Sequence, residues 1–450
     1  MSIRSVPGRK ILGPTIFFIF LLNAILFLTV SPVYGEKATS GFTPFTRRTL
    51  ENGLTVIVKE THFAPVVAVE IRVGVGAIHE PPELQGISHF VEHMFFKGTK
   101  HRPAGAIAGE IKAVGGRLNA STSRETTCYY VTAPSAYTDL VLEVIADAIQ
   151  HTSFDPVEVE RERKVIIEEI MMNRDDPLRR LSEEIHRSLF AGTPYAANVI
   201  GTPETVGNID REALVAYYQK HYVPNNMVVV VGGDVETGQV LARLEQLFKG
   251  FNPGEAPPLP SFEVPQARKD ARLEWEAEIN QTYLSFAFPL PPLNAEDSAA
   301  LGILQFILDG GRSARLRKLY SDGLINQLGT GLTSYRHVGY FTVTATTQNP
   351  ALVEERIREI LGEISARGVT AKEVEVAQAM VRTALALEAE RVSSLVSLIS
   401  WYEIISCLEE RIRYEQALTE VTKEDVQRVA AAYLQPEQAT LFMVKPKEGK

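Results

Sequence analysis

Cysteine is almost absent from this 450-residue chain, with only Cys128 and Cys407 present. Two cysteines cannot build a disulfide framework or a cysteine-rich metal site, so two unpaired, buried thiols are expected. Low-complexity runs are also missing, and proline and glycine stand at ordinary levels, which excludes wholesale disorder and fibrous architectures. No stretch concentrates Lys and Arg; 46 basic against 55 acidic side chains give a net charge of −9. Phosphate contact needs concentrated cations, so no nucleic-acid partner is expected. Histidine is scarce in the second half, where only His337 lies beyond residue 250. Hydrophobic residues make up 45% of the chain, enough to bury a core in at least two domains.

The amino terminus reads as an export signal. Arg4, Arg9 and Lys10 precede an apolar run over residues 11–30, and a Ser31-Pro32 break leads to Val33, Tyr34 and Gly35. That is the order of basic region, apolar region and cleavage site, with cleavage expected after Gly35. An uncleaved anchor is the alternative, since about 20 apolar residues span a bilayer, although Pro14 and Asn23 weaken it. Either reading places the remainder outside the cytoplasm, in the periplasm if the cell is bacterial.

Two halves follow. In the first, residues 54–59, 66–75, 124–132 and 227–231 read as strands from their β-branched patterning. Residues 85–97, 104–114, 137–151 and 157–173 read as helices from their apolar spacing. Residues 252–260, with four prolines, read as an exposed linker. The pattern then restarts: strands at 282–288, 340–347 and 440–444, and helices at 298–308, 352–366 and from 371 onward. Mixed elements without strict βαβ alternation predict an α+β protein built on a duplicated α/β unit. The expected division is a signal (1–35), a first domain (36–250), a linker (251–268) and a second domain (269–450).

The chemistry is concentrated in the first half. His89 and His93 stand four apart in an apolar helix (Ile87, Phe90, Val91, Met94, Phe95), with Glu92 before the second histidine. Positions i and i+4 lie about 40° apart on a helix, so both imidazoles point the same way. That spacing suits one Zn²⁺, and Glu92 is placed to take a proton from water.

A further ligand is expected from the helix that Asp155 and Pro156 open as cap and first-turn proline. Glu162 and Glu169 are seven apart and fall between Val165 and Ile166, on the expected inward face; Glu168 lies about 100° away. Carboxylates on an inward face are costly unless paired or metal-bound.

These motifs resemble the pitrilysin/insulinase family of zinc metallopeptidases, whose inverted motif is H-x-x-E-H. The likeness takes in His89 to His93, the Lys97-Gly98-Thr99 that follows, and Gly115 to Thr122 with Glu125. It extends to the Glu162/Glu169 helix, Tyr222 to Met227, and Asp309 to Leu316. The 75 residues between His93 and Glu169 match the family's interval. The resemblance implies two sandwich-like α/β domains of the pitrilysin-like metallohydrolase fold, together half of a clamshell, in a catalytic-type subunit. It implies one zinc per chain held by His89, His93 and Glu169, Glu92 as general base, and Glu162 as a carboxylate behind the ligands. An extended peptide or unfolded protein segment would pair as an added strand near Asn119 and Ala120.

One departure stands out. Family members add an Arg and a Tyr seven positions apart; aligned on Gly323 and Leu324, those positions here hold Leu319 and Asn326, and Arg317 and Tyr320 have the wrong spacing. The expected partner is therefore a second family subunit supplying the pair, or another copy in a homodimer. The alternative function is a catalytically weak member acting as a structural or partner-binding subunit.

Overall fold

The computed structural model describes residues 44–256, 258–263, 271–292 and 294–447. The expected export signal lies outside the described residues, as does part of the expected linker. Two sheets organise the rest. The first contains β1 (Thr46–Thr49), β2 (Thr55–Glu60), β3 (Val66–Val73), β4 (Arg117–Thr122), β5 (Thr127–Pro134) and β6 (Met227–Gly233), in the order β1-β2-β6-β3-β5-β4. The second contains β7 (Arg272–Ala277), β8 (Thr282–Leu290), β9 (Gln327–Ser334), β10 (Gly339–Thr347) and β11 (Thr440–Pro446), in the order β7-β11-β8-β10-β9.

Without β1, the two sheets have one topology. Each carries a single parallel pair, β2 with β6 and β7 with β11, and all other pairings are antiparallel. The duplication that sequence identity conceals is plain in strand order.

The valine run of β6 explains the layering. Side chains alternate between the faces of a strand, so a strand covered on both sides is apolar throughout. Val229 and Val231 join Phe90 and Met94 of α1 (Ile87–Met94) and Val141 and Ile145 of α3 (Thr138–His151) in one core, with α2 (Ala106–Ala113) between them in sequence. Val228 and Val230 point the other way, onto Leu395, Val396 and Ile399 of the Val392–Ile405 helix, which comes from the second half.

The exchange is reciprocal. After α4 (Pro156–Asp175), helix α5 (Pro177–Leu189) sends Leu181, Ile185 and Leu189 against Ala287, Phe442 and Val444 of the second sheet. The opposite face of that sheet, with Leu284, Phe286 and Phe288, packs on the Ala295–Asp309 and Pro350–Arg367 helices. A buried ion pair seals the first crossing: Arg72 donates to Glu70 at 2.6 Å and to Ser400 Oγ at 3.0 Å.

Several expectations need correction. The strand expected at 124–132 starts at Thr127, because Ser123 N–H bonds Thr126 O at 2.8 Å and turns the chain first. Val165 is exposed, although the helical wheel placed it beside the inward carboxylates. Cys128 and Cys407 are both free, but only Cys128 is buried; Cys407 sits half-exposed as the residue capping a helix.

Candidate metal centre

Helix α1 is set by its first residues. Gly86 enters it at φ 93, and a Cβ there would lie 2.7 Å from the Ile200 carbonyl oxygen, so the left-handed turn and the close approach both require glycine. The Glu80 carboxylate accepts from Gly86 N–H at 2.7 Å and Ser88 N–H at 2.9 Å, capping otherwise orphaned donors. Burial pushes the Glu80 carboxyl up to about 7 despite these bonds. With Ile87, Phe90, Val91 and Met94 buried, the rotation of α1 leaves His89, Glu92 and His93 facing the cleft.

Helix α4 runs alongside. Asp155 caps it by accepting from Val157 N–H and Glu158 N–H, with Pro156 in the first turn. Ile166 and Ile170 anchor its inner face, Glu162 is buried, Glu169 is partly exposed and Glu168 is exposed. His93 Nδ1 donates to Glu162 Oε2 at 3.0 Å, and Lys97 Nζ reaches Glu162 Oε1 at 2.6 Å. His93 Nε2 thereby faces Glu169 Oε2 at 3.7 Å, and His89 Nε2 lies 3.8 Å from the same oxygen. The donor atoms of His89, His93 and Glu169 all lie within 4.8 Å of one another. Ligand atoms around a tetrahedral zinc with bonds of about 2.0–2.2 Å are separated by roughly 3.4 Å, so the two imidazoles and the carboxylate fit that ion.

The electrostatics follow from burial and pairing. Burial, and then the neighbouring His93, hold His89 down to about 4. Burial also works against protonating His93, but the hydrogen bond to Glu162 and the neighbouring Glu169 carboxylate hold it up at about 9. Such a concentration of anionic oxygens around one imidazole favours a cation in its place. Burial raises the Glu92 carboxyl, while Thr122 Oγ1 donates to Glu92 Oε2 at 2.5 Å and leaves Oε1 as its other oxygen.

Thr122 ends β4, and β4 is the edge of its sheet. Among the described residues it pairs only with β5, through Asn119↔Tyr130 and Ala120↔Tyr129 among others, and its other side is open. Asn119 is exposed, and Ala120 lines the cleft with the histidines. Gly115, at φ 77, turns the chain from α2 into β4. The cleft has a volume of about 480 Å³. Glu125, just past β4, accepts from Tyr195 Oη and from Arg336 N–H at 2.9 Å, tying this rim to the second half.

Sequence reasoning missed part of the lining. Arg179, Glu183 and His186 of α5 face the cleft with Arg124. The first three stand at i, i+4 and i+7, and that helical spacing was the one available signal. At the departure in the second half, Leu319 is 3% exposed inside the core and Asn326 is exposed. Arg317 pairs with Asp309 at 3.3 Å and lies over the Tyr320 ring at 5.1 Å.

Two family models match the chain: Insulinase (Peptidase family M16) over residues 55–203 and Peptidase M16 inactive domain over residues 208–381. An uncharacterised zinc protease of Mycobacterium leprae, ML0855, is 31% identical over 405 residues, 88% of this chain and 90% of its own. The crystal structure of a protease from Helicobacter pylori has a TM-score of 0.83 at 24% identity, covering 90% of this chain and 99% of that one. The periplasmic protease PqqL from Escherichia coli has a TM-score of 0.76 at 20% identity; the match covers 90% of this chain and 48% of PqqL. With both halves matched and a relative this similar along most of its length, the chain belongs to the pitrilysin/insulinase family, peptidase family M16.

Proposed function

We propose that this chain is an exported zinc endopeptidase that cleaves extended peptides, or unfolded segments of proteins, laid against β4. One observation carries the reading: the donor atoms of His89, His93 and Glu169 lie within 4.8 Å of one another beside an open strand edge, with Glu92 on the same helix face. His89, His93 and Glu169 would hold the metal. When bound, zinc supplies a Lewis acid that activates water and polarises a peptide carbonyl.

The chain's own groups do the rest. Glu92 Oε1 takes a proton from the attacking water and hands it to the departing amine, while Thr122 holds Oε2. Glu162 fixes the tautomer and orientation of His93 through Nδ1, and Lys97 balances the charge of Glu162. The open edge at Asn119 and Ala120 takes substrate backbone as an added strand, leaving side-chain preference to the cleft walls. Leader-like residues 1–35 support action outside the cytoplasm, periplasmic in a bacterium.

A second family subunit carrying an Arg/Tyr pair completes the site; a second copy of this chain would bring the same Leu319 and Asn326 and could only dimerise. Buried Leu319 and neutral Asn326 support that need. They also favour a second reading, a weakly catalytic chain whose main role is to bind a partner. The test is cleavage of a fluorogenic peptide by the chain, with and without chelator and with and without a second subunit. Chelator-sensitive cleavage supports the first reading; no cleavage in any combination overturns it.

A further inference from the structure

Outside the cleft, a second cluster has metal-ligand character. Asp147 and His151 stand one turn apart at the end of α3, and His101 comes from the loop that follows α1. Asp147 is buried, and its two oxygens are divided. Oδ2 accepts from Thr99 Oγ1 at 2.7 Å and Arg102 Nη1 at 2.8 Å. Oδ1 faces the histidines, 3.1 Å from His151 Nδ1 and 4.0 Å from His101 Nε2. Donor atoms of the three residues lie within 4.8 Å of one another, as in the cleft.

The backbone around the cluster is pinned. Thr99 bridges to Thr152, Lys100 N–H bonds the His151 carbonyl at 3.2 Å, and His101 N–H bonds Thr99 Oγ1 at 3.0 Å. A helix-internal bond to Asp147 accounts for His151 alone; it gives no reason for a second imidazole edge-on to it at 5.1 Å. Around the cluster Arg102 is shared among Asp147, Glu110 and Glu143, and Arg243 also meets Glu143, at 3.5 Å, so three carboxylates face two guanidiniums, with Lys100 exposed nearby. The carbonyl end of α3 adds negative potential.

We propose that His101, Asp147 and His151 form a second divalent-cation site, independent of the cleft, with two imidazole nitrogens and one carboxylate oxygen as ligands. That borderline donor set selects zinc-type ions over magnesium or calcium. None of the three residues lines the cleft. An ion here staples the loop after α1 to the end of α3. Lys97, in the same stretch, pairs with Glu162.

The test counts zinc. The full chain is stripped with chelator, dialysed against Zn²⁺ alone, and its bound metal measured by atomic absorption. The double variant His101→Ala/His151→Ala is expected to hold one equivalent fewer than its parent, both in the wild-type background and with His89→Ala. His101→Ala alone, at an exposed position, should weaken one equivalent by at least the roughly 10–100-fold that outer-shell losses produce. Unchanged zinc content and affinity in these variants overturns the proposal. The cleft reading is tested separately, by whether His89→Ala itself removes an equivalent.

Discussion

His93 donates from Nδ1 to Glu162 at 3.0 Å, and that bond turns its Nε2 toward Glu169. Glu162 is buried between this imidazole and Lys97. Replacing Glu162 with Ala leaves all three proposed ligands in place but frees the ring to rotate. Zinc affinity, measured by competition with a chromogenic chelator, should fall by about 10–100-fold. Unaltered affinity would show that Glu162 serves only to neutralise Lys97.

Glu92→Gln keeps the donor atoms and removes the proton acceptor. It should retain zinc while turnover falls by about 10²–10⁴-fold, the range a positioned acid–base group contributes. His89→Ala and Glu169→Gln should lose the metal instead. Glu168→Gln, at an exposed position, should change neither. Zinc loss from Glu168→Gln with retention in Glu169→Gln would contradict the orientation of α4.

Leu319 cannot simply be converted into the family's arginine. It is 3% exposed and packed in the core of the second half. Leu319→Arg buries an unpaired charge, so it should destabilise the fold by about 3 kcal/mol or more, read from the urea midpoint. Activity should rise on adding a second subunit with the Arg/Tyr pair, since one positioned donor at a developing oxyanion is worth roughly 10²–10³ in turnover. Full peptidase activity from the isolated chain, unchanged by any partner, would rule this out.

His186 makes part of the stability pH-dependent. Its Nδ1–H donates to the Ser182 carbonyl at 2.8 Å, and Tyr335 Oη donates to Nε2 at 3.0 Å, so the neutral ring is fully paired. Burial, then the positive charge of Arg124, lowers it to about 3. In the unfolded chain it titrates near the ordinary value of about 6.5. Its contribution is therefore complete above that pH and is lost as pH falls from about 6.5 toward 3. Between pH 6.5 and 5 the loss is about 2 kcal/mol, at about 1.4 kcal/mol per unit. Glu80, raised to about 7 by burial, works in the opposite direction over pH 7 to 4.5. Comparing His186→Gln with its parent cancels such other groups. The variant's unfolding free energy should depend less on pH by about one proton, and an identical slope would refute the assignment.

Local rules made the core of the candidate site legible before any fold was known. A four-residue interval puts His89 and His93 on one side of a helix, a seven-residue interval does the same for Glu162 and Glu169, and Asp155-Pro156 marks where that second helix starts. These depend only on helical pitch and capping, which the chain carries in short windows. Val165 shows the limit of the method, because a helical wheel gives relative angles and cannot say which apolar residue finds a partner.

Tertiary structure decided what depends on pairing between distant segments. It lays α1 against α4, leaves β4 as an open edge, and brings Glu80 back to cap the helix bearing the histidines. It also crosses the halves: α5 covers the second sheet, and Val392–Ile405 covers the first. No local period encodes such an exchange, because a helix with one apolar face satisfies the same pattern on either sheet. His186 enters the cleft, and Leu319 leaves the surface, only because long-range packing chose which face each would meet.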